Sequence, residues 1–148
     1  MAGAVEQIFL ADPESPTYSV DSVLAITGRG LDGDRYLAAE DTWAARGCAI
    51  SLIEAEQIQA IREEHGIDLG DGRSRRQVVT RGVNLNDLVG QEFSVGEARC
   101  RGVELCEPCM HLTRLLGEPN LIKAAVHRAG LRADILAGGQ IAVGDSVV

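Results

Sequence analysis

At 148 residues, 45% apolar and 24% charged, the chain is long enough to bury a real core without staples, and one domain spanning 1–148 is the expectation. A net charge of −8 argues against a nucleic-acid-binding surface, and no apolar run approaches the roughly 20 residues that span a bilayer. The opening Met1-Ala2-Gly3-Ala4-Val5-Glu6-Gln7 has no basic residue ahead of its apolar run, so a signal peptide is not expected. Four cysteines in such a chain read as reduced thiols of a cytoplasmic protein with no membrane role.

Ala4 to Leu10 has strand-like content and is closed by Asp12-Pro13-Glu14-Ser15-Pro16 as a turn. Tyr18 to Thr27 continues as strand, and Gly28 to Arg35 follows as a glycine-rich, charge-dense loop. No suitable helix pattern follows it directly, so it is not a dinucleotide fingerprint. Gly47 to Ile50 predicts a short buried strand that feeds a helix. Ser51 and Glu54 have the spacing of a capping box, Leu52, Ala55, Ile58 and Ile61 recur at helical spacing, and Gly66 suits the C-terminal cap.

Arg73 to Gln77 predicts the start of a strand continuing through Val78, Val79 and Thr80, and Arg81 to Leu88 a turn with a short helical piece. Gln91–Val95 and Ala98–Leu105 predict two strands joined by a tight Gly96-Glu97 turn. Gly117 ends one short helix, Leu121 to Ala129 predicts another with Asn120 as N-cap, and Leu131–Leu136 and Ile141–Val148 close the chain as strands. Many short strands, glycine-rich turns and two or three helices predict a mainly β protein, a barrel with helical insertions.

The reactive chemistry concentrates in Gly102 to Leu112. Pro108 fits the first turn of a helix, which would place Cys109 near unpaired N–H groups that favour a thiolate. Cys106-x-x-Cys109 admits a redox pair, a zinc site with Cys100 and His111, or a single working thiolate at Cys109 with Cys106 as strand packing; buried inert thiols are the bland alternative. His111 is offset from Cys109 by two residues, which does not favour a Cys–His pair, and it is expected to cap backbone or line a pocket mouth.

A second constellation is arginine-rich. Of 14 basic residues only Lys123 is lysine, a bias that base composition accounts for and that also suits recognition of oxyanions by forked donors. If Arg75-Arg76-Gln77 lie on a strand, Arg75 and Gln77 share one face and Arg76 the other. One arginine then reaches a bound anion while its neighbour pairs with a carboxylate such as Asp34. Thr80, Arg81 and Asn84 at the following turn suit phosphate or ring nitrogens.

Taken in order, Gly30-Leu31-Asp32-Gly33-Asp34-Arg35, the stretch from Arg75 to Val83, Gly90 to Gly96, Glu107-Pro108-Cys109 and Gly139 to Asp145 resemble the molybdenum-cofactor sulfurase C-terminal (MOSC) domain. The resemblance spans about residues 5 to 148. It implies a pyruvate-kinase-barrel-like fold and molybdenum-cofactor (molybdopterin) or sulfur-transfer chemistry, with the pterin phosphate held by arginines. It further implies that Cys109 ligates molybdenum or carries sulfur, with Asp34, Arg35, Arg75, Arg76, Gln77, Thr80, Arg81 and Asn84 as the cofactor-binding set. Related stand-alone members reduce N-hydroxylated substrates. The family usually has Asn where this chain has Gln77, which moves the amide by one methylene. The chain shows no pyridoxal-phosphate desulfurase or reductase module, so sulfur or electrons are expected from a separate partner. The alternative is a non-catalytic carrier that delivers cofactor or sulfur to an enzyme.

Overall fold

The computed structural model describes residues 3–12, 16–35, 37 and 46–148. Its strands follow from apolar residues alternating with polar ones. In β8 (Ala98–Leu105), Ala98, Cys100 and Gly102 are buried while Arg99, Arg101 and Val103 face outward. β7 (Glu92–Val95) pairs antiparallel with it, Val95 opposite Ala98, across the expected Gly96-Glu97 turn. Gly96 has φ of 56°, the left-handed backbone that a type II′ hairpin requires at its first central position. β1 (Gly3–Leu10) loses its alternation midway: Glu6 and Gln7 are both exposed, whereas Ile8, Phe9 and Leu10 are all buried. A register shift between Val5 and Gln7, in the pairing with β6 (Val78–Arg81), accounts for the break.

The ring is completed by β5 (Ile50–Glu54), β9 (Leu131–Ala137) and β11 (Ser146–Val147) in the order β11-β7-β8-β9-β5-β6-β1. Gly3 pairs with Val147, so β1 meets β11 and the barrel closes, leaving no open edge within the ring. β2 (Tyr18–Val20) extends outward from β1, and a second sheet takes the order β10 (Gly139–Ala142), β3 (Ser22–Ile26), β4 (Gly30–Leu31). Ile8, Leu52, Phe93, Leu131 and Ile135 fill the barrel, each contributing about 1.5–3 kcal/mol by leaving water. Outside the ring, α1 (Ala55–His65), α2 (Met110–Leu116) and α3 (Leu121–Ala125) form a second core around Ile61, Leu69, Leu112 and Leu121. The mainly β barrel with two or three helical insertions is therefore what the chain forms. Among the described residues no helix is long and apolar enough to cross a membrane.

Four local expectations are corrected. The capping box does not start a helix: Ser51 to Glu54 lie in β5, between β9 and β6, and α1 begins at Ala55 with no side-chain cap. Ile50, Leu52 and Ile53 are buried on both faces of the strand. The two would-be capping side chains are taken elsewhere, since Ser51 Oγ accepts the Gln77 N–H at 3.1 Å and Glu54 Oε2 accepts the Leu85 N–H at 3.3 Å. The far end of the helix is as expected, with Gly66 left-handed at φ 70°. Second, α3 stops at Ala125 rather than Ala129, and Asn120 caps it with no side-chain bond. His127 is left-handed at φ 59°, and Glu107 accepts its N–H at 2.7 Å, which pulls the chain out of the helical path. Third, residues 73–77 are not a strand start: the chain turns over 70–75, where Arg73 N–H donates to Gly70 O and Arg75 N–H to Gly72 O, and β6 begins only at Val78. Fourth, Pro108 precedes the N-cap instead of opening α2. The turn expected at Asp12–Pro16 falls mainly on residues 13–15, outside those described.

Candidate functional site

Because residues 73–77 are not a strand, the strand-face argument for the arginines does not apply, and all of Arg75, Arg76 and Gln77 reach one cleft. Arg132 of β9 joins them, with the thiols of Cys48 and Cys106 and the hydroxyl-bearing Ser51. The cleft is shallow, with an enclosed volume of about 30 Å³, about the space of one water, below an open mouth. Arg75 is left-handed at φ 63°, a conformation a long side chain adopts at a cost of about 1–2 kcal/mol. Arg76 is aimed by its Nε donating to Ala129 O at 2.8 Å. Cys106 is set by its N–H donating to Gly130 O at 2.8 Å. Gly130 follows Ala129 and stands at φ 108°; a Cβ there would run into the Leu52 carbonyl, so this close approach of backbones needs glycine.

Beneath the arginines lies a buried polar clasp. The Asp34 carboxylate has 0% side-chain exposure and Arg35 has 6%. Asp34 Oδ1 accepts the Ala11 N–H at 3.0 Å and Arg35 Nη1 at 3.2 Å, while Oδ2 accepts Gln77 Nε2 at 2.8 Å. Gln77 Oε1 in turn accepts the Ser51 N–H at 2.9 Å, and Arg35 Nη2 donates to Arg75 O at 3.1 Å. One chain of bonds thus runs from Ser51 through Gln77, Asp34 and Arg35 to the backbone of the strained Arg75. Buried charge is tolerated only when paired in this way. Gln77 is 1% exposed and its amide bridges Ser51 and Asp34, so its length fits a structural span.

The four thiols divide sharply. Cys48, Cys100 and Cys106 are buried and Cys109 is exposed. Burial pushes the Cys48 thiol up to about 11, helped by Glu104, whose Oε1 lies 3.6 Å from its Sγ. Burial raises Cys100 to about 12 and also raises Cys106, against the opposing pull of Arg76 and Arg132. The buried thiols therefore stay protonated at neutral pH, and a raised thiol is a poor nucleophile. Cys109 is the N-cap of α2, and its carbonyl accepts both the N–H and the hydroxyl of Thr113 at 3.0 Å.

A family profile described as the MOSC domain matches residues 34–148. The chain belongs to the MOSC domain family. This family is associated with binding of molybdenum cofactor. Solved structures agree on the fold. The YUAD protein from Bacillus subtilis superposes with a TM-score of 0.82 at 18% identity, covering 99% of this chain and 94% of that one. YiiM from Geobacillus stearothermophilus gives 0.76 at 17% identity over 99% and 74%, and YiiM from Escherichia coli 0.74 at 16% over 99% and 68%. No curated protein matches the sequence.

Within this MOSC domain the sequence-derived set is only partly assembled. Arg75, Arg76 and Gln77 line the cleft, with Asp34 and Arg35 behind them. Thr80, Arg81 and Asn84 lie toward the opposite end of β6 from Gln77. Thr80 is buried and its hydroxyl bonds Ile53 O, Arg81 pairs with Glu6 at 2.7 Å, and Asn84 is exposed. That turn also carries two carboxylates, Glu56 accepting the Gly82 N–H and Glu54 the Leu85 N–H. Cys109 and His111 are both exposed, and neither is among the residues that line the cleft. Among the described residues no three His, Cys, Asp or Glu converge as metal ligands, which removes the four-ligand zinc arrangement; Cys106 and Cys109, one buried and one exposed, are both free thiols. Arg132 and Cys48 were missed, and the half-buried arginine in a closing strand whose other charged residue is Asp134 was the available signal. Cys106, expected only to pack, faces the cleft.

Proposed function

We propose that this MOSC domain holds molybdenum cofactor through the arginine-lined cleft and Cys109, and serves sulfur transfer or molybdenum-dependent reduction of N-hydroxylated substrates. The observation that carries the reading is the gathering of Arg75, Arg76 and Arg132 at one cleft of a chain whose net charge is −8. Forked guanidiniums in an acidic protein make a local anion site, and a phosphate-bearing pterin suits that donor set. The cofactor, when bound, supplies a thiophilic redox metal, and a cysteine thiolate is a fitting ligand for it. The chain's own part is to bind and orient. Arg75, Arg76 and Arg132 neutralise charge, the Asp34–Gln77–Ser51 clasp fixes Arg75, and Cys109 presents a solvent-reached sulfur three residues beyond Cys106. The exposure of both Cys109 and Met110 also favours a carrier that hands sulfur or cofactor to a partner.

Expression in cells able and unable to make molybdopterin, followed by elemental analysis and pterin fluorescence, tests the reading. Molybdenum and pterin are expected only from competent cells, with pterin lost in Arg76→Ala and molybdenum lost in Cys109→Ala. Equal molybdenum in Cys109→Ala and parent would remove Cys109 as ligand. A persulfide trapped on Cys109 in metal-free protein would select the carrier.

A further inference from the structure

A second, larger groove adjoins the cleft and shares Arg75 with it. It encloses about 400 Å³, within the range of small-molecule sites. Its apolar lining is Leu115 and Leu116, from the last turn of α2, together with Pro16. Leu115 is 48% exposed, a large apolar side chain left in water beside a concavity. The loop that carries Arg75 also lines it, and three of its residues are left-handed: Asp71 at φ 53°, Gly72 at 78° and Arg75 at 63°. Such backbone persists only where surroundings over-determine it, and it clusters at ligand clamps. Here the surroundings are visible. Thr17 Oγ1 donates to Gly72 O at 3.0 Å, a Cβ on Gly72 would strike that same hydroxyl, and Arg35 holds Arg75 O. The loop is therefore held in its left-handed shape. Asp71 and Arg73 also line the groove, Arg73 paired with Asp68 at 3.2 Å, and Arg75 lines both groove and cleft.

We infer that this groove binds a small organic oxyanion with an apolar body. The apolar part would lie between Pro16 and Leu115–Leu116, with the charged end at Arg75. Its identity as the substrate groove rests on the proposed function of the neighbouring cleft; the binding itself does not. Apolar contact supplies the grip, and the forked guanidinium discriminates against a neutral head.

The test is an amide-shift titration of the ¹⁵N-labelled full chain with 4-phenylbutyrate, with its neutral alcohol 4-phenylbutanol as comparison. Saturable shifts are expected at Thr17, Gly72, Leu115 and Leu116, with the acid bound several-fold more tightly than the alcohol. Leu115→Glu should weaken the acid by about tenfold or more, the scale set by losing an apolar contact. Leu115→Trp, which fills the groove without adding charge, should weaken both ligands, and Arg75→Ala should abolish the preference for the acid. Absence of saturable shifts up to about 10 mM, well above a millimolar dissociation constant, overturns the inference. Shifts confined to other amides, or equal affinity of acid and alcohol, overturn it too. Molybdenum and pterin are assayed in parallel on the parent. Protein from competent cells that lacks both, yet binds phenylbutyrate at these amides, leaves the groove standing and takes down the cofactor reading; the reverse result does the opposite.

Discussion

Replacing Gln77 with leucine keeps the volume of the side chain and removes both ends of the span beneath the cleft. The Nε2 bond to Asp34 Oδ2 at 2.8 Å and the Ser51 N–H bond to Oε1 at 2.9 Å are lost, while the Gln77 backbone N–H keeps Ser51 Oγ. Each loss removes one partner from a buried or half-buried polar group, at about 1–3 kcal/mol apiece, so Gln77→Leu should cost roughly 2–6 kcal/mol. For a domain of this size that lowers Tm by about 2–4 °C per kcal/mol, a fall on the order of 10 °C. Gln77→Asn withdraws the amide by about 1.5 Å, enough to break one bond but not both, and should cost about half as much. Gln77→Glu sets a carboxylate against Asp34 and should be the least stable at neutral pH. Its folded state favours the protonated acid, so stability should recover as pH falls. Urea melts of the three variants, with a double-mutant cycle against Ser51→Ala, measure each term. A Gln77→Leu protein within about 0.5 kcal/mol of the parent would refute the clasp, since surface changes alone give that much. So would a Gln77→Asn protein indistinguishable from the parent.

Three further outcomes follow from the same geometry. Maleimide or disulfide-exchange titration of the native protein should label one thiol quickly, lost in Cys109→Ser, with Cys48, Cys100 and Cys106 reacting only on unfolding; fast labelling in Cys109→Ser would contradict their burial. The buried thiols also set an alkaline limit. Cys48 and Cys100 are raised from the ordinary 9.0 to about 11 and about 12, so the folded state holds protons that the unfolded chain gives up. Stability should be full below pH 9 and fall as pH rises toward 11 and 12, with a shallower slope in Cys100→Ala; an unchanged slope would assign the limb elsewhere. Gly130→Ala should destabilise by more than ~1 kcal/mol, because φ is 108° and the Cβ meets the Leu52 carbonyl. It should also weaken inorganic phosphate binding, since Gly130 and Ala129 hold Cys106 and Arg76; phosphate affinity equal to the parent's would detach that backbone from the cleft.

The sequence by itself determined what short-range sterics and periodicity govern. The alternation in Ala98–Leu105, the hairpin at Gly96-Glu97 and the left-handed cap at Gly66 all depend on residues a few positions apart. The ordered motifs from Gly30 to Asp145 also identified the family. Only the tertiary structure decided which partners the polar groups take. Ser51 and Glu54 have the spacing of a helix cap, yet they serve the backbone of residues 26 and 31 positions away. Gln77 read as a pterin contact, and its amide also spans Ser51 and an aspartate 43 residues distant. Arg75 read as a strand residue, but a left-handed turn carries it to the boundary of two clefts. Thr80, Arg81 and Asn84 read as one anion-binding turn with the arginines, but the fold sets them at the far end of β6 from the cleft, with Arg81 paired to Glu6. Arg132, Cys48 and Cys106 became cleft residues because barrel closure brings the entrances of β5 and β9 and the exit of β8 together. Periodicity fixes which face of an element is apolar. Which distant polar atom meets it is set by how the elements close on one another, and that is where this site is made.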